Sequence, residues 1–268
     1  MAYKQLWGAP SPGHIVYLID LSGSMEDKIE YTVNVLNSVF NTLVGLCVKG
    51  SEVSPRLSCT VIGYNSEAKV IWDDMPIKEI AKKVVNYKKN GTPIFDKEKE
   101  FKPQYQTYMR LAFDEARRDI EKWIKKQEDA KMLIPAPIVI NITDGYPYEG
   151  KEKKWEDVSL ETLKSAQALM NISTPDGYVR LFNIHHDPET SNPTLIFPSQ
   201  CPSHPAEKFL FEASSVMDED TLTSAKTLFN TTTGARCMVS NEKDPSKLVM
   251  LIEFGSTQGV EDEDGSYF

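Results

Sequence analysis

The sequence predicts an α/β fold: a doubly wound, mostly parallel six-stranded sheet with one antiparallel edge strand and helices on both faces. Three observations carry that expectation. Short apolar runs end abruptly at polar clusters, as strands buried on both faces do. Amphipathic stripes at helical spacing separate them, which is the alternation of βαβ units. One pair of strand-like runs is joined by only two turn residues, which calls for a hairpin.

Residues 14–20 (HIVYLID) are the first such run. Beyond it Ile29, Val33, Leu36, Phe40, Leu43 and Cys47 recur in steps of four and three, one stripe along a helix. Residues 56–64 and 67–72 are strand-like, with Asn65 and Ser66 as the turn between them. Ile77, Ile80, Val84 and Tyr87 share a helix face, and residues 90–103, with Gly91, Pro93 and Pro103, read as an irregular loop. Met109, Ala112, Phe113, Ala116, Ile120 and Trp123 mark a helix ahead of the buried strand at 137–142. Val158, Leu163, Ala166 and Leu169 mark the next helix, and residues 178–184 the next strand. After a long loop at 188–217, Leu222, Ala225, Leu228 and Phe229 form a stripe closed by Thr233 and Gly234, followed by a short strand at 236–239. Asp244 and Pro245 then open a last helix with Leu248, Leu251 and Ile252 facing inward. The expected organisation is an N-terminal arm at 1–13, one domain at 14–255, and an acidic, disordered tail at 256–268.

Composition excludes several classes. The 268 residues are 40% hydrophobic and 26% charged, an ordinary globular balance. The net charge is -9, and Glu261, Asp262, Glu263 and Asp264 carry four of those charges. The remaining body, at about -5, has no general attraction for nucleic acid or anionic lipid. Basic clusters such as Lys82-Lys83 and Lys88-Lys89 read as solvated faces. The four cysteines, 47, 59, 201 and 237, form no Cys-x-x-Cys pair, so neither a disulfide framework nor a zinc site is expected. No signal peptide or membrane span is legible, and a reduced cytoplasmic compartment follows as the default. The Asn-x-Thr sequon at Asn141 falls inside a buried strand and reads as chance.

Chemistry concentrates at two strand ends. Asp20, Ser22 and Ser24 alternate along a tight turn after the first strand, with Gly23 between the serines. Thr143, Asp144 and Gly145 follow the fourth strand, and in doubly wound sheets ligands bind where strand order switches. Side-chain oxygens from both can converge on one point. An all-oxygen set of carboxylates and hydroxyls suits a hard divalent cation, Mg2+ first, with Mn2+ or Ca2+ as alternatives. Taken singly, the serines could equally cap the following helix and Asp144-Gly145 could be a turn. His185-His186-Asp187 offers no third metal ligand and reads as structural. His14 and His204 carry no evident constellation.

Asp-x-Ser-x-Ser after the first strand, with Thr-Asp-Gly after the fourth, resembles the metal-ion-dependent adhesion site of von Willebrand factor A (VWA) domains, and the element order is similar over about residues 12–255. The resemblance implies a further threonine ligand from a loop before a central helix. Thr107, which opens the stripe at Met109, fits that place, and Thr92 in Gly91-Thr92-Pro93 is the rival. It also implies that Ser22, Ser24 and the threonine bind the metal directly, that Asp20 and Asp144 act mostly through water, and that an Asp or Glu from a partner protein completes the coordination. Within the family, Asp20-Leu21-Ser22-Gly23-Ser24-Met25 and Thr143-Asp144-Gly145-Tyr146-Pro147 are most similar to stand-alone intracellular bacterial proteins of the tellurium-resistance type. That subclass implies a stress or defence system with a PP2C-like phosphatase or a serine/threonine kinase as partner.

The expected function is therefore a metal-dependent protein-binding module and not an enzyme. The alternative is a hydrolase or phosphotransferase using the same metal. Against it, the glycines of Gly-x-Ser-x-Gly are missing around Ser22, and Ser22 stands where an aspartyl phosphotransferase needs a second carboxylate. No nucleotide-binding glycine motif follows the first strand. The 188–217 loop, at the ligand edge, is expected to help choose the partner.

Overall fold

The computed structural model describes residues 5–95, 97–187 and 189–259. The elements run β1 (Gly13–Asp20), a 3-10 turn (Gly23–Met25), α1 (Ile29–Cys47), β2 (Val48–Lys49), β3 (Glu52–Val53), β4 (Leu57–Tyr64), β5 (Ala68–Pro76) and α2 (Ile77–Asn90). They continue with α3 (Lys97–Glu100), α4 (Met109–Asp129), β6 (Ile138–Thr143), α5 (Trp155–Met170), β7 (Arg180–His186), β8 (Leu195–Ile196), α6 (Pro205–Glu212), α7 (Glu219–Phe229), β9 (Met238–Glu242) and α8 (Pro245–Thr257). The main sheet has the order β5-β4-β1-β6-β7-β9-β8. β1 pairs in parallel with both β4 and β6, so the chain builds outward from it first to one side and then to the other. That makes the β1/β6 boundary the switch point, and its crevice opens at the carboxyl ends of those two strands.

Alternation along the central strand supplies two cores. Ile15, Tyr17 and Ile19 pack with α1, α2, α7 and α8 on one face. Val16 and Leu18 pack with α4, α5 and α6 on the other. Cys47, Cys59 and Cys237 are buried as small apolar side chains, while Cys201 is exposed. Asn141 is fully buried and hydrogen-bonds Tyr64 and Asn183, so its sequon is a core position. Among the described residues no helix is long and apolar enough to cross a membrane.

The doubly wound sheet is as expected, with additions. It has seven strands rather than six, and both edges are antiparallel: β5 on β4, the expected hairpin, though with the three residues Asn65, Ser66 and Glu67 between the strands rather than two, and β8 on β9. β8 and α6 lie within the segment read as a loop at 188–217. α6 escaped notice because its apolar residues Phe209, Leu210 and Phe211 are consecutive and make no helical stripe. Tyr87 and Leu228, read as inward, are exposed. α8 runs through Thr257, and Ser256 and Gln258 are buried, which carries ordered structure into the segment read as tail. The acidic residues 261–264 lie outside the described residues.

The amino-terminal edge of the sheet holds a network that sequence spacing did not reveal. His14 Nε2 lies 2.9 Å from Asp119 Oδ2, and its Nδ1 lies 2.9 Å from Ser58 Oγ. Thr60 Oγ1 donates to Asp119 Oδ1 at 3.0 Å, and the His14 ring stacks on Trp123. Four side chains from β1, β4 and α4 thus satisfy one another out of water. Asp20 stands six residue steps along β1 from His14, about 20 Å, so this network belongs to stability and not to the carboxyl-edge site. Asp119→Ala removes the partner of His14 Nε2 and the acceptor of the Thr60 hydroxyl, while His14 Nδ1 keeps Ser58 and Thr60 Oγ1 keeps the Asp74 N–H; each buried group left unpaired costs about 1–3 kcal/mol. Urea titration should therefore show a lower midpoint at unchanged slope, while metal affinity of the folded variant stays at the wild-type value.

Candidate metal centre

β1 ends at Asp20 and β6 at Thr143, side by side across the switch point, and Thr143 Oγ1 donates to Asp20 Oδ2 at 2.6 Å. Asp20 is wholly buried, and its Oδ1 accepts the Ser22 backbone N–H at 2.8 Å. This carboxylate therefore shapes the turn that follows β1. Ser22 and Ser24 do not cap a helix. The 3-10 turn after Ser22 and helix α1 after Lys28 both begin without a side-chain cap. Instead Ser22 Oγ and Ser24 Oγ lie 3.1 Å apart, and Ser24 Oγ donates to Asp144 Oδ1 at 2.9 Å.

The donor chemistry tests the fit to a cation. Ser22, Ser24 and Asp144 converge within hydrogen-bond distance of one another, and the side-chain oxygens are all hard donors, the chemistry that suits a small divalent cation. No group of three His, Cys, Asp or Glu suited to a metal occurs among the described residues. The centre is rich in hydroxyls and poor in carboxylates.

Thr107 reaches the same edge through a backbone strap. Gln104 N–H donates to Leu21 O at 2.8 Å and Gly23 N–H to Tyr105 O at 3.1 Å, which ties the strap to the first loop. Thr107 and Tyr148 exchange two backbone hydrogen bonds of 3.0 Å, which ties it to the loop that follows Asp144. Thr107 is buried between them. Thr92 lies outside the strap: it is exposed just past the end of α2, and its hydroxyl donates to Asn90 Oδ1. The structure thus brings Asp20, Ser22, Ser24 and Asp144 together by hydrogen bonds and holds Thr107 in the strap between their loops, while Thr92 hydrogen-bonds Asn90.

Lys28 is the residue sequence reasoning missed. Its Nζ donates to Asp144 Oδ2 at 2.9 Å and to Ser24 O at 2.9 Å. Burial alone lowers its pKa, but the hydrogen bond and charge of Asp144, with Asp27, outweigh that and leave it above the ordinary lysine value. The available signal was its place four residues after Ser24, one helical turn along. His185 and His186 are structural: Asn241 N–H donates to His185 Nδ1, and His186 Nδ1 lies 2.8 Å from Glu242 O. Burial pushes both imidazole pKa values down.

No protein-family model matches the chain, and no similar sequence was found among curated proteins. Solved structures are similar in fold. The pilus adhesin SpaC of Lactobacillus rhamnosus GG, in its open conformation, is 11% identical over 93% of this chain and 30% of that one, with a TM-score of 0.54. The manganese-loaded TRAP protein of Plasmodium vivax is 18% identical over 66% of this chain and 58% of that one, with a TM-score of 0.42. Proximal thread matrix protein 1 of the mussel byssus, with a zinc-occupied MIDAS motif, is 14% identical over 68% of this chain and 37% of that one, with a TM-score of 0.38. The chain spans between 30% and 58% of the length of these proteins. At such identities the likeness is one of fold alone, a mostly parallel α/β sheet with helices on both faces.

Burial pushes the Asp20 carboxyl up from 3.8 to about 6, against lowering hydrogen bonds from Thr143 and Ser22. The native state therefore holds a proton that the unfolded chain releases between those values, and stability falls as pH rises through that window. The penalty is complete above about pH 6 and amounts to about 3 kcal/mol, the cost of so displaced a carboxyl. His185 and His186, with lowered pKa values, act in the opposite sense, stability rising as pH rises toward the ordinary histidine value. Denaturant titrations in EDTA should show wild type losing about 2–3 kcal/mol relative to Asp20→Asn between pH 4 and 7. A flat difference would exclude the perturbed carboxyl.

Proposed function

We propose that the chain is a metal-dependent protein-binding module. Ser22, Ser24 and Thr107 hold a divalent cation, Asp20 and Asp144 orient those donors, and an Asp or Glu of a partner protein completes the coordination. The observation that carries this reading is Ser24 Oγ, set 3.1 Å from Ser22 Oγ and 2.9 Å from Asp144 Oδ1 at the switch point of the sheet. A cation bound there supplies a Lewis-acidic position that an anionic side chain can occupy.

The chain's own residues supply the rest. Asp20 fixes the turn and Thr143 holds Asp20, so the serines need little rearrangement. The strap exposes Tyr105, which is 68% accessible at a φ of 67°, a left-handed backbone that bulky residues rarely adopt. Tyr148, on the other side of Thr107, is also exposed. Exposed tyrosines beside a polar site are the side chains that anchor protein interfaces. From the resemblance of the two motifs to tellurium-resistance-type proteins, we assign the module to the bacterial cytoplasm, in a stress or defence system, with a PP2C-like phosphatase or a serine/threonine kinase as partner.

Two measurements check this reading. Isothermal titration should give Ser22→Ala an Mn2+ or Mg2+ affinity about 10–100-fold below wild type, the range for disturbing a metal shell. A partner bound in Mg2+ should dissociate in EDTA, and should bind Tyr105→Ala at least about tenfold more weakly, a hot-spot loss, while that variant's metal affinity stays unchanged. A partner held equally in EDTA and by Ser22→Ala would sink the module as described.

A further inference from the structure

A cation already sits among the oxygen donors. Lys28 Nζ lies 2.9 Å from Asp144 Oδ2, 2.9 Å from Ser24 O and 3.4 Å from Asp27 Oδ1. This place is poor for the helix that Lys28 opens. Lys28 is the N-cap of α1 and its side chain caps nothing, while an ammonium there meets the positive end of the helix dipole. What offsets the cost is a carboxylate far away in sequence. A residue that breaks a local rule in order to hold a site group is a functional candidate.

Asp144 is then engaged on both oxygens, Oδ1 by Ser24 and Oδ2 by Lys28. The pair is largely shielded from water, the Asp144 side chain being 2% and that of Lys28 17% exposed. Charge therefore counts for more here than on an open surface.

We infer that Lys28 is a built-in counter-ion of the metal centre, which competes with a divalent cation for Asp144 and reduces the negative charge the cation meets. This rests on the metal site proposed above. Counting the two buried carboxylates Asp20 and Asp144, and leaving aside the solvent-screened Asp27, Lys28 leaves the centre one net negative charge, so a divalent cation makes it net positive. Without the lysine the loaded centre is neutral. Lys28 thus weakens a metal held alone and strengthens a carboxylate that arrives with it, and the two occupants bind as a coupled pair.

The test is Mn2+ titration of the full chain, followed by the electron paramagnetic resonance of the free ion, for wild type, Lys28→Met and Lys28→Gln, with circular dichroism melting to establish folding. Both variants should bind Mn2+ about tenfold more tightly than wild type. The gap should shrink as salt is raised from about 0.02 to about 0.5 M, as a charge effect does and a packing effect does not. Acetate should tighten Mn2+ binding in wild type more than in either variant. Equal or weaker binding by the folded variants, beside a wild type that binds, overturns the counter-ion and leaves the metal site standing. Absence of Mn2+ binding by all three folded chains overturns the metal site and the counter-ion with it. If Lys28→Met melts too low to titrate, Lys28→Gln decides.

Discussion

The carboxyl edge depends on the hydrogen bond from Thr143 to the buried carboxylate of Asp20, which crosses from β6 to β1 at the switch point. A carboxylate without water has to find its donors in the chain, and here Thr143 Oγ1 donates on one side and Ser22 on the other. The first bond locks the two strand ends together. The second bends the chain so that the Ser22 and Ser24 hydroxyls meet. Geometry that would otherwise depend on a bound ligand is set by the fold itself, at the expense of burying a charge. Such a site destabilises the domain that carries it, a trade expected where preorganisation serves binding.

Much of this was legible from residue order. Strand ends, helix stripes and the hairpin at Asn65-Ser66 follow from periodicity, because burial on one face or two leaves a pattern in the residues themselves. Asp20, Ser22, Ser24 and Asp144 were legible because motif spacing and the switch-point rule point to the same edge. Their meeting through Ser24, and the freedom of both serines from helix capping, were not. Two equally satisfying uses of a hydroxyl look alike in sequence, and only the position of the helix start separates them.

What stayed hidden has a common cause. His14, Ser58, Thr60 and Asp119 are brought together by sheet register and helix docking, neither of which leaves a spacing signal. Lys28 looked like any charged residue in a first helical turn until the strand ending at Thr143 placed Asp144 beside it. α6 lacked periodicity because its apolar residues Phe209, Leu210 and Phe211 are contiguous, although all three join the core on the α4 and α5 face. Long-range pairings of polar groups are the part of a fold that local pattern carries least.

The strap at residues 104–107 is held to both loops of the site by main-chain hydrogen bonds, from Gln104 to Leu21, from Gly23 to Tyr105 and between Thr107 and Tyr148. Main-chain bonds do not depend on which side chains the strap carries. Substitutions at Gln104 and Tyr105 therefore leave Thr107 in its place, whereas the Gln106 side chain also accepts a hydrogen bond from Ser66. Recognition can drift rapidly under selection at Gln104 and Tyr105, and the ion-holding chemistry beneath them is inherited intact.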